Sequence, residues 1–238
     1  MDTPTFPEAN HPLISALSNR SDLELLDLFK RYPDAGRYFV TLFCRYSPIV
    51  YTLVRHSAPS AVQGDYLFAK IWQRIYRELP TLDLSRASQQ LPGNLDEFTF
   101  QNWLINITAL SINQAELPPI ESIHYSLSSA SPPLWCYLES ALDRQDAMVR
   151  LMIIMAQTLH WSEPRIAAYL QAEGEKTSTA TVRSKLRQGY RKLEDALPAD
   201  IRSIYMGEAF AGDSIEGWND GGWTAGAAIA PDPTQPLL

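Results

Sequence analysis

Apolar residues recur every three or four positions along most of this chain, and that period constrains the fold more than any other feature. Phe39, Leu42, Phe43, Tyr46, Val50 and Leu53 form one stripe, and Phe68, Ile71, Trp72, Ile75 and Leu79 a second. Trp103, Leu104 and Ile107 belong to a third, Leu151, Ile154 and Met155 to a fourth, and Val182, Leu186, Tyr190 and Leu193 to a fifth. The spacing is that of helices burying one face, and no stretch alternates as a half-buried strand does. The expected class is all-α. Phe68, Trp72, Trp103 and Ile107 are expected in the core, where large apolar side chains identify a fold rather than a chemistry.

Helix starts and breakers divide the chain. Ser60 with Gln63 three residues on reads as a capping box opening a helix to Leu79. Ser162 precedes Glu163 and Pro164, both at home in a first turn, and Ser178 can cap a helix running to Leu197, ahead of Pro198. Residues 80–97 read as a loop, and the Pro- and Ser-rich residues 114–133 as an interdomain linker. Residues 199–238 hold six acids (Asp200, Glu208, Asp213, Glu216, Asp220, Asp232) against Arg202 alone, and are expected to form a poorly ordered tail. Such a tail, with Trp218 and Trp223 as apolar anchors, would restrain a basic surface, solvate the chain or hold a partner.

Several function classes fall away. The longest undiluted apolar run, near Leu151–Ala156, is far short of the ~20 residues of a membrane span. MDTPTFPEANHPL has no basic segment ahead of an apolar one, so no secretory signal is expected, and the reading is a cytoplasmic protein. Cys44 and Cys136 lie on separate helical patterns, without the spacing of a zinc site or disulfide framework. His11, His56, His124 and His160 are scattered, no glycine-rich phosphate loop is present, and His56 and His160 read as helix-end or interface residues. No enzyme, metal or cofactor is expected.

Charge distribution points instead to nucleic acid. The net charge is −7, and no Lys or Arg occurs between Ala87 and Asp143. From Trp161 to Leu193 there are seven (Arg165, Lys176, Arg183, Lys185, Arg187, Arg191, Lys192) against three Glu. One basic face in an acidic protein sets the local field that DNA would meet. Two short helices are expected there, packing through Ile166, Ala167 and Leu170 on one and Val182 and Leu186 on the other. The second would present Ser178, Thr181, Arg183, Ser184, Lys185, Arg187 and Gln188. Such a helix fits the major groove, short polar side chains at base edges and cations on phosphates. On residue types alone a basic solvated helix is an equal alternative.

These residues resemble the −35-reading region of extracytoplasmic-function sigma factors of bacterial RNA polymerase. That region carries an Ala-Leu, an Arg eight residues later, then Ser-x-x-x-Ile-Ala-x-x-Leu and Ser-x-x-Thr-Val-x-Ser-x-Leu. Here stand Ala141-Leu142, Arg150, Ser162 to Leu170 (SEPRIAAYL) and Ser178 to Leu186 (STATVRSKL). The intervening turn, Gln171 to Thr177, is longer than the family's. The N-terminal half is similar to the family's other conserved region. Leu42 to Leu53 (LFCRYSPIVYTL), Phe68 to Trp72 (FAKIW) and Phe100 to Ile107 (FQNWLINI) follow its three elements in order.

The resemblance implies a two-domain, all-α sigma factor. Residues 1–113 would form the region 2-like domain with an N-terminal extension, 114–133 the linker, and 134–198 the region 4-like helix-turn-helix domain. The partners implied are core RNA polymerase, docked on Val62, Asp65, Tyr66 and Ala69, and promoter DNA, with an anti-sigma factor a further candidate. The chain departs from the family where the polymerase-binding helix usually shows acid, Gln and acid, here Val62, Asp65 and Tyr66. It departs again where the −10 helix usually ends in Asn and paired Arg, here Leu110 and the cation-free SINQAEL of Ser111–Leu117. The alternatives are a sigma-derived DNA-binding regulator, or a polymerase-associated adaptor, that does not itself open promoters.

Overall fold

The structure of the chain, a computed structural model, describes residues 5–84, 99–127 and 130–206. Among these, every regular element is helical. The elements are α1 (Pro12–Ser15), α2 (Asp22–Arg31), α3 (Arg37–Ser57), α4 (Ala61–Glu78), α5 (Phe100–Gln114), α6 (Pro132–Asp143), α7 (Ala147–Gln157), α8 (Glu163–Ala172), α9 (Thr179–Ala196) and α10 (Ala199–Met206). Short 3-10 turns lie at Pro7–Asn10, Leu79–Thr81 and Ile120–Ser122. No helix among the described residues is long and apolar enough to cross a membrane.

Side-chain caps satisfy free N–H groups that open several of the helices. Ser21 Oγ accepts from Glu24 N while Glu24 Oε2 accepts from Ser21 N at 2.8 Å, a complete capping box on α2. Thr99 caps α5 and Asp146 caps α7 in the same way. Ser60 caps α4 by accepting from Gln63 N at 3.2 Å. The Gln63 side chain does not complete the expected box. Its Oε1 accepts from Ser60 Oγ, and its Nε2 donates to Pro118 O at 3.0 Å, tying α4 to the segment after α5.

The first core is built on α3 and α4. Phe39, Phe43, Phe68 and Trp72 are fully buried, with Phe43 and Trp72 edge to face at 4.9 Å between ring centres. Leu25 and Phe29 from α2 and Phe100, Leu104 and Ile107 from α5 close over this cluster. Trp103, expected in the core, is only partly buried at its edge. A second core joins Ala141 of α6, Met152, Ile153 and Met155 of α7, Ile166, Ala167 and Leu170 of α8, and Val182, Leu186, Tyr190 and Leu193 of α9. Leu151 and Ile154, read from the sequence as part of a buried stripe, are exposed instead. In α7 the buried face is set by the adjacent pair Met152–Ile153 with Met155, a register that uniform hydrophobicity hides.

Two expectations about the chain's course are corrected. α6 does not belong to the second core alone: its Leu134, Cys136 and Tyr137 complete the first core, and Ala141 the second. Nor does a loose tail begin at residue 199. Ala199–Met206 is helical, Ile201 is wholly buried in the first core, and the Tyr205 hydroxyl donates to Glu8 Oε1 at 3.2 Å. The expected loop begins with the Leu79–Thr81 turn, and its residues 85–97 lie outside the described residues, as does the tail from 207 onward. Cys44 and Cys136 are free thiols, and burial pushes the Cys44 thiol up to about 12.

Glu8 is only 4% exposed, and burial raises its carboxyl above the ordinary value of 4.5. A carboxyl whose folded pKa is raised contributes stability that is present below the unfolded value and lost as pH rises through the folded one. Glu8→Gln removes that loss and keeps an acceptor for Tyr205. We expect the variant's advantage in urea midpoint to grow as pH rises above the carboxyl's ordinary value of 4.5. A difference between the two proteins that is flat with pH would refute this.

Candidate nucleic-acid interface

The two helices expected here are present and share a core. Ile166, Ala167 and Leu170 of α8 bury against Val182 and Leu186 of α9. The long turn between them is braced. Glu175 N donates to Leu170 O at 2.9 Å and Gly174 N to Gln171 O at 3.0 Å, while the Gln171 side chain donates to Thr177 O at 2.7 Å. Gly174 sits at φ 90°, where a side chain would be strained. The extra residues are thus absorbed by a helix-ending turn, and the two apolar faces still meet.

α9 turns its apolar face inward and its polar face out. Thr181, Arg183, Ser184, Arg187 and Gln188 are exposed, and Lys185 is half-buried on the flank. Ser184, Arg187, Gln188 and Arg191 follow one another at helical spacing along the open side, and Lys192 is exposed beside them. Two of the expected contacts are already engaged within the chain. The Ser178 hydroxyl caps α9 by accepting from Thr181 N at 3.2 Å, and Arg183 Nε donates to Glu163 Oε2 at 2.7 Å. Glu163, in the first turn of α8, thereby pairs with the guanidinium.

The sequence reading counted Arg165 among the basic residues of this segment without giving it a place. Arg165 lies over the Trp161 ring at 4.3 Å, and Trp161 meets Tyr169 edge to face at 5.5 Å. The spacing of four between Trp161, Arg165 and Tyr169 was the available signal. His160 adopts φ 51° in the turn that follows α7 and is exposed. Among the described residues no group of three or more His, Cys, Asp and Glu gathers as metal ligands would.

The face expected to dock polymerase is only partly open. Val62 is 40% exposed at the start of α4. Asp65 is half-buried, accepts from the Tyr51 hydroxyl at 3.3 Å, and burial raises its carboxyl against the opposing effects of that bond and of Arg55. Tyr66 is half-buried, with Lys70 Nζ 6.0 Å from its ring centre. Ala69 is fully buried, so it is not open to a partner in this form, contrary to its place in the expected set. The cause is α6. Lys70 Nζ also lies 5.2 Å from the Trp135 ring centre, and Tyr125 packs on Trp135 at 4.7 Å, so the linker and α6 roof this part of α4.

The open side of α5 is neutral. Asn106, Ala109, Leu110, Asn113 and Gln114 are exposed. The neighbouring cation, Arg74 of α4, is held by Glu78 at 2.9 Å, Ser111 at 3.2 Å and Gln114 at 3.1 Å. Compared with family models, curated proteins and solved structures, the chain matches none.

Gly189 sets how closely α9 approaches α7. A methyl there would come within 2.6 Å of Val149 Cγ1 and 2.9 Å of Ile153 Cδ1. In an open helix Gly→Ala stabilises by up to ~1 kcal/mol, whereas overpacking a filled core costs ~1–3 kcal/mol. We expect Gly189→Ala to destabilise the second unit by about 1 kcal/mol net, measured by urea denaturation followed at 222 nm. A stabilised variant would show that α7 and α9 are not in this contact.

Proposed function

We propose that the chain is a diverged sigma factor, which binds core RNA polymerase and directs it to promoters through α9. The observation that carries this reading is the helix-turn-helix itself. In a protein of net charge −7, its second helix turns Arg183, Arg187, Arg191 and Lys192 outward beside short polar side chains. Cations on one face supply phosphate contacts, while Thr181, Ser184 and Gln188 have the size and chemistry to reach base edges. In this reading the first unit docks on polymerase through the open end of α4, around Val62. The protein acts by recruiting an enzyme and is not one.

A second reading is favoured by two particular observations, the neutral open side of α5 and the burial of Ala69 under α6. In it the chain binds DNA through α9 as a regulator and does not open promoters. Run-off transcription with core polymerase separates the two. Transcripts that depend on the protein support the sigma reading, and DNA binding without transcripts supports the regulator.

Arg183 and Glu163 give the DNA assignment a signed test. Arg183→Gln and Arg187→Gln should each reduce the slope of log affinity against log salt by about 1. Glu163→Gln should act the other way, tightening DNA binding and steepening the slope, because it frees Arg183 from its internal anion. Binding to genomic fragments titrated across salt concentrations measures all three. If neutralising Arg183 and Arg187 leaves affinity and slope unchanged, α9 is not the DNA-binding helix.

A further inference from the structure

Both ends of the helix-turn-helix unit are fastened to the first unit. At its start, α6 puts Leu134, Cys136 and Tyr137 into the first core and lays Trp135 over Lys70. At its end, α9 passes through Leu197 and Pro198 into α10, which packs on the first core. The Asp200 carboxylate sits on the N-terminus of α3. Its Oδ1 accepts from Gly36 N and its Oδ2 from Arg37 N, both at 3.0 Å, with Arg37 Nη1 at 3.9 Å. Beside it Ile201 fills the space that Gly36 leaves: a methyl at Gly36 would overlap Ile201 Cγ1 and Cδ1 and come within 3.0 Å of Tyr137 Cζ. Ile201 of α10 and Tyr137 of α6 therefore both lie against one glycine, and α10 borders the site where α6 enters the first core.

We propose that α10 is a latch. It holds a closed form in which α6 covers the docking face of α4, and polymerase binding requires its release. The proposal rests on the polymerase-docking reading above. In the closed form only the Val62 end of that face is open, and the helix-turn-helix is tied to the first unit at both ends. Release of α10 removes one tie and vacates the space beside Gly36 that Ile201 fills next to Tyr137. α6 is then free to move with the helix-turn-helix unit, uncovering Ala69 and Tyr66.

Gly36 allows the latch to be opened without disturbing the backbone. It has φ −70° and ψ −22°, a conformation alanine adopts freely, so Gly36→Ala acts on Ile201 and Tyr137 and not on the start of α3. Gly36→Ala in the full chain should speed amide hydrogen exchange in α10 and α6 by about tenfold or more and leave α8 and α9 unchanged. Immobilised core polymerase should capture several times more of it than of the parent. Adding Ile201→Ala removes the atoms that a methyl at Gly36 would strike, and the double variant should return towards the parent in both measurements. Asp200→Ala, which withdraws the carboxylate from the α3 amides without adding an atom, should open the latch from the other side and serves if Gly36→Ala loses helical content. Unchanged exchange in α6 in a folded variant would overturn the latch. Faster exchange in α10 and α6 with no capture of any of these proteins would uphold the latch as a conformational device and overturn the docking reading.

Discussion

The burial of α4 on nearly every side is the constraint from which the rest of the molecule follows. From Gly64 to Leu79 most of its residues are buried, with Trp72, Phe68 and Ile75 wholly so. A helix apolar over so much of its circumference needs partners around it. α3 and α5 cover part of it, and the roof that remains is α6, delivered from the far side of the linker. Once α6 is committed to α4, the helix-turn-helix that continues from it has its place. The chain leaving α9 also lies within reach of α3, where Asp200 meets two amides that open that helix. Gln63 adds to this by spending its amide on Pro118 O, which holds the linker along α4 instead of leaving it free to extend.

How far the sequence alone could lead depended on whether a signal was local. The class, the caps at Ser60 and Ser178, the aromatic core of α3 and α4, and the α8–α9 pair rest on helical period and short-range hydrogen bonding, and all could be read directly. The assignment of α6 could not. Its pattern is equally good for either core, because Leu134, Cys136 and Tyr137 bury on one side and Ala141 on the other. The fate of Ala69 followed from that choice, since nothing in α4 itself says which face a distant helix will cover. The Ala199–Met206 segment was hidden for a related reason. Counting acids after Pro198 treated Asp200 as a solvated charge, whereas it is 8% exposed and satisfied by amides far away in sequence. One short apolar helix with a buried Asp reads as a tail until its partner is known.

Electrostatics at α9 argue for a surface kept ready rather than one locked. Arg183 and Glu163 form an exposed pair, with side-chain exposures of 59% and 28%. Such pairs are worth ~0–1 kcal/mol, because solvent screens them and ordering two long side chains costs entropy. A phosphate meeting Arg183 therefore displaces little. Meanwhile Glu163 holds the guanidinium between α8 and α9. Arg165, stacked on Trp161, is positioned by a ring. In the same unit Arg183 is paired with Glu163 and Arg150 with Asp143.

The energetics of the C-terminal helix make it suited to reversible release. α10 has eight residues, below the length at which an isolated helix is stable in water, so once detached it unfolds. Detachment exposes Ile201, strips the carboxylate from the Gly36 and Arg37 amides and breaks the Tyr205–Glu8 hydrogen bond. Against this, each residue that melts regains backbone entropy. A partner that prefers the released state shifts the population by its differential affinity for the two states. Core packing alone could not give this balance. Peeling α6 from α4 while α10 remains in place would bare Leu134, Cys136 and Tyr137 with no compensating gain in chain entropy. Tying α6 to a helix that melts on release supplies that gain, and it places the proposed control of the α4 face at Gly36, far along the chain from α9.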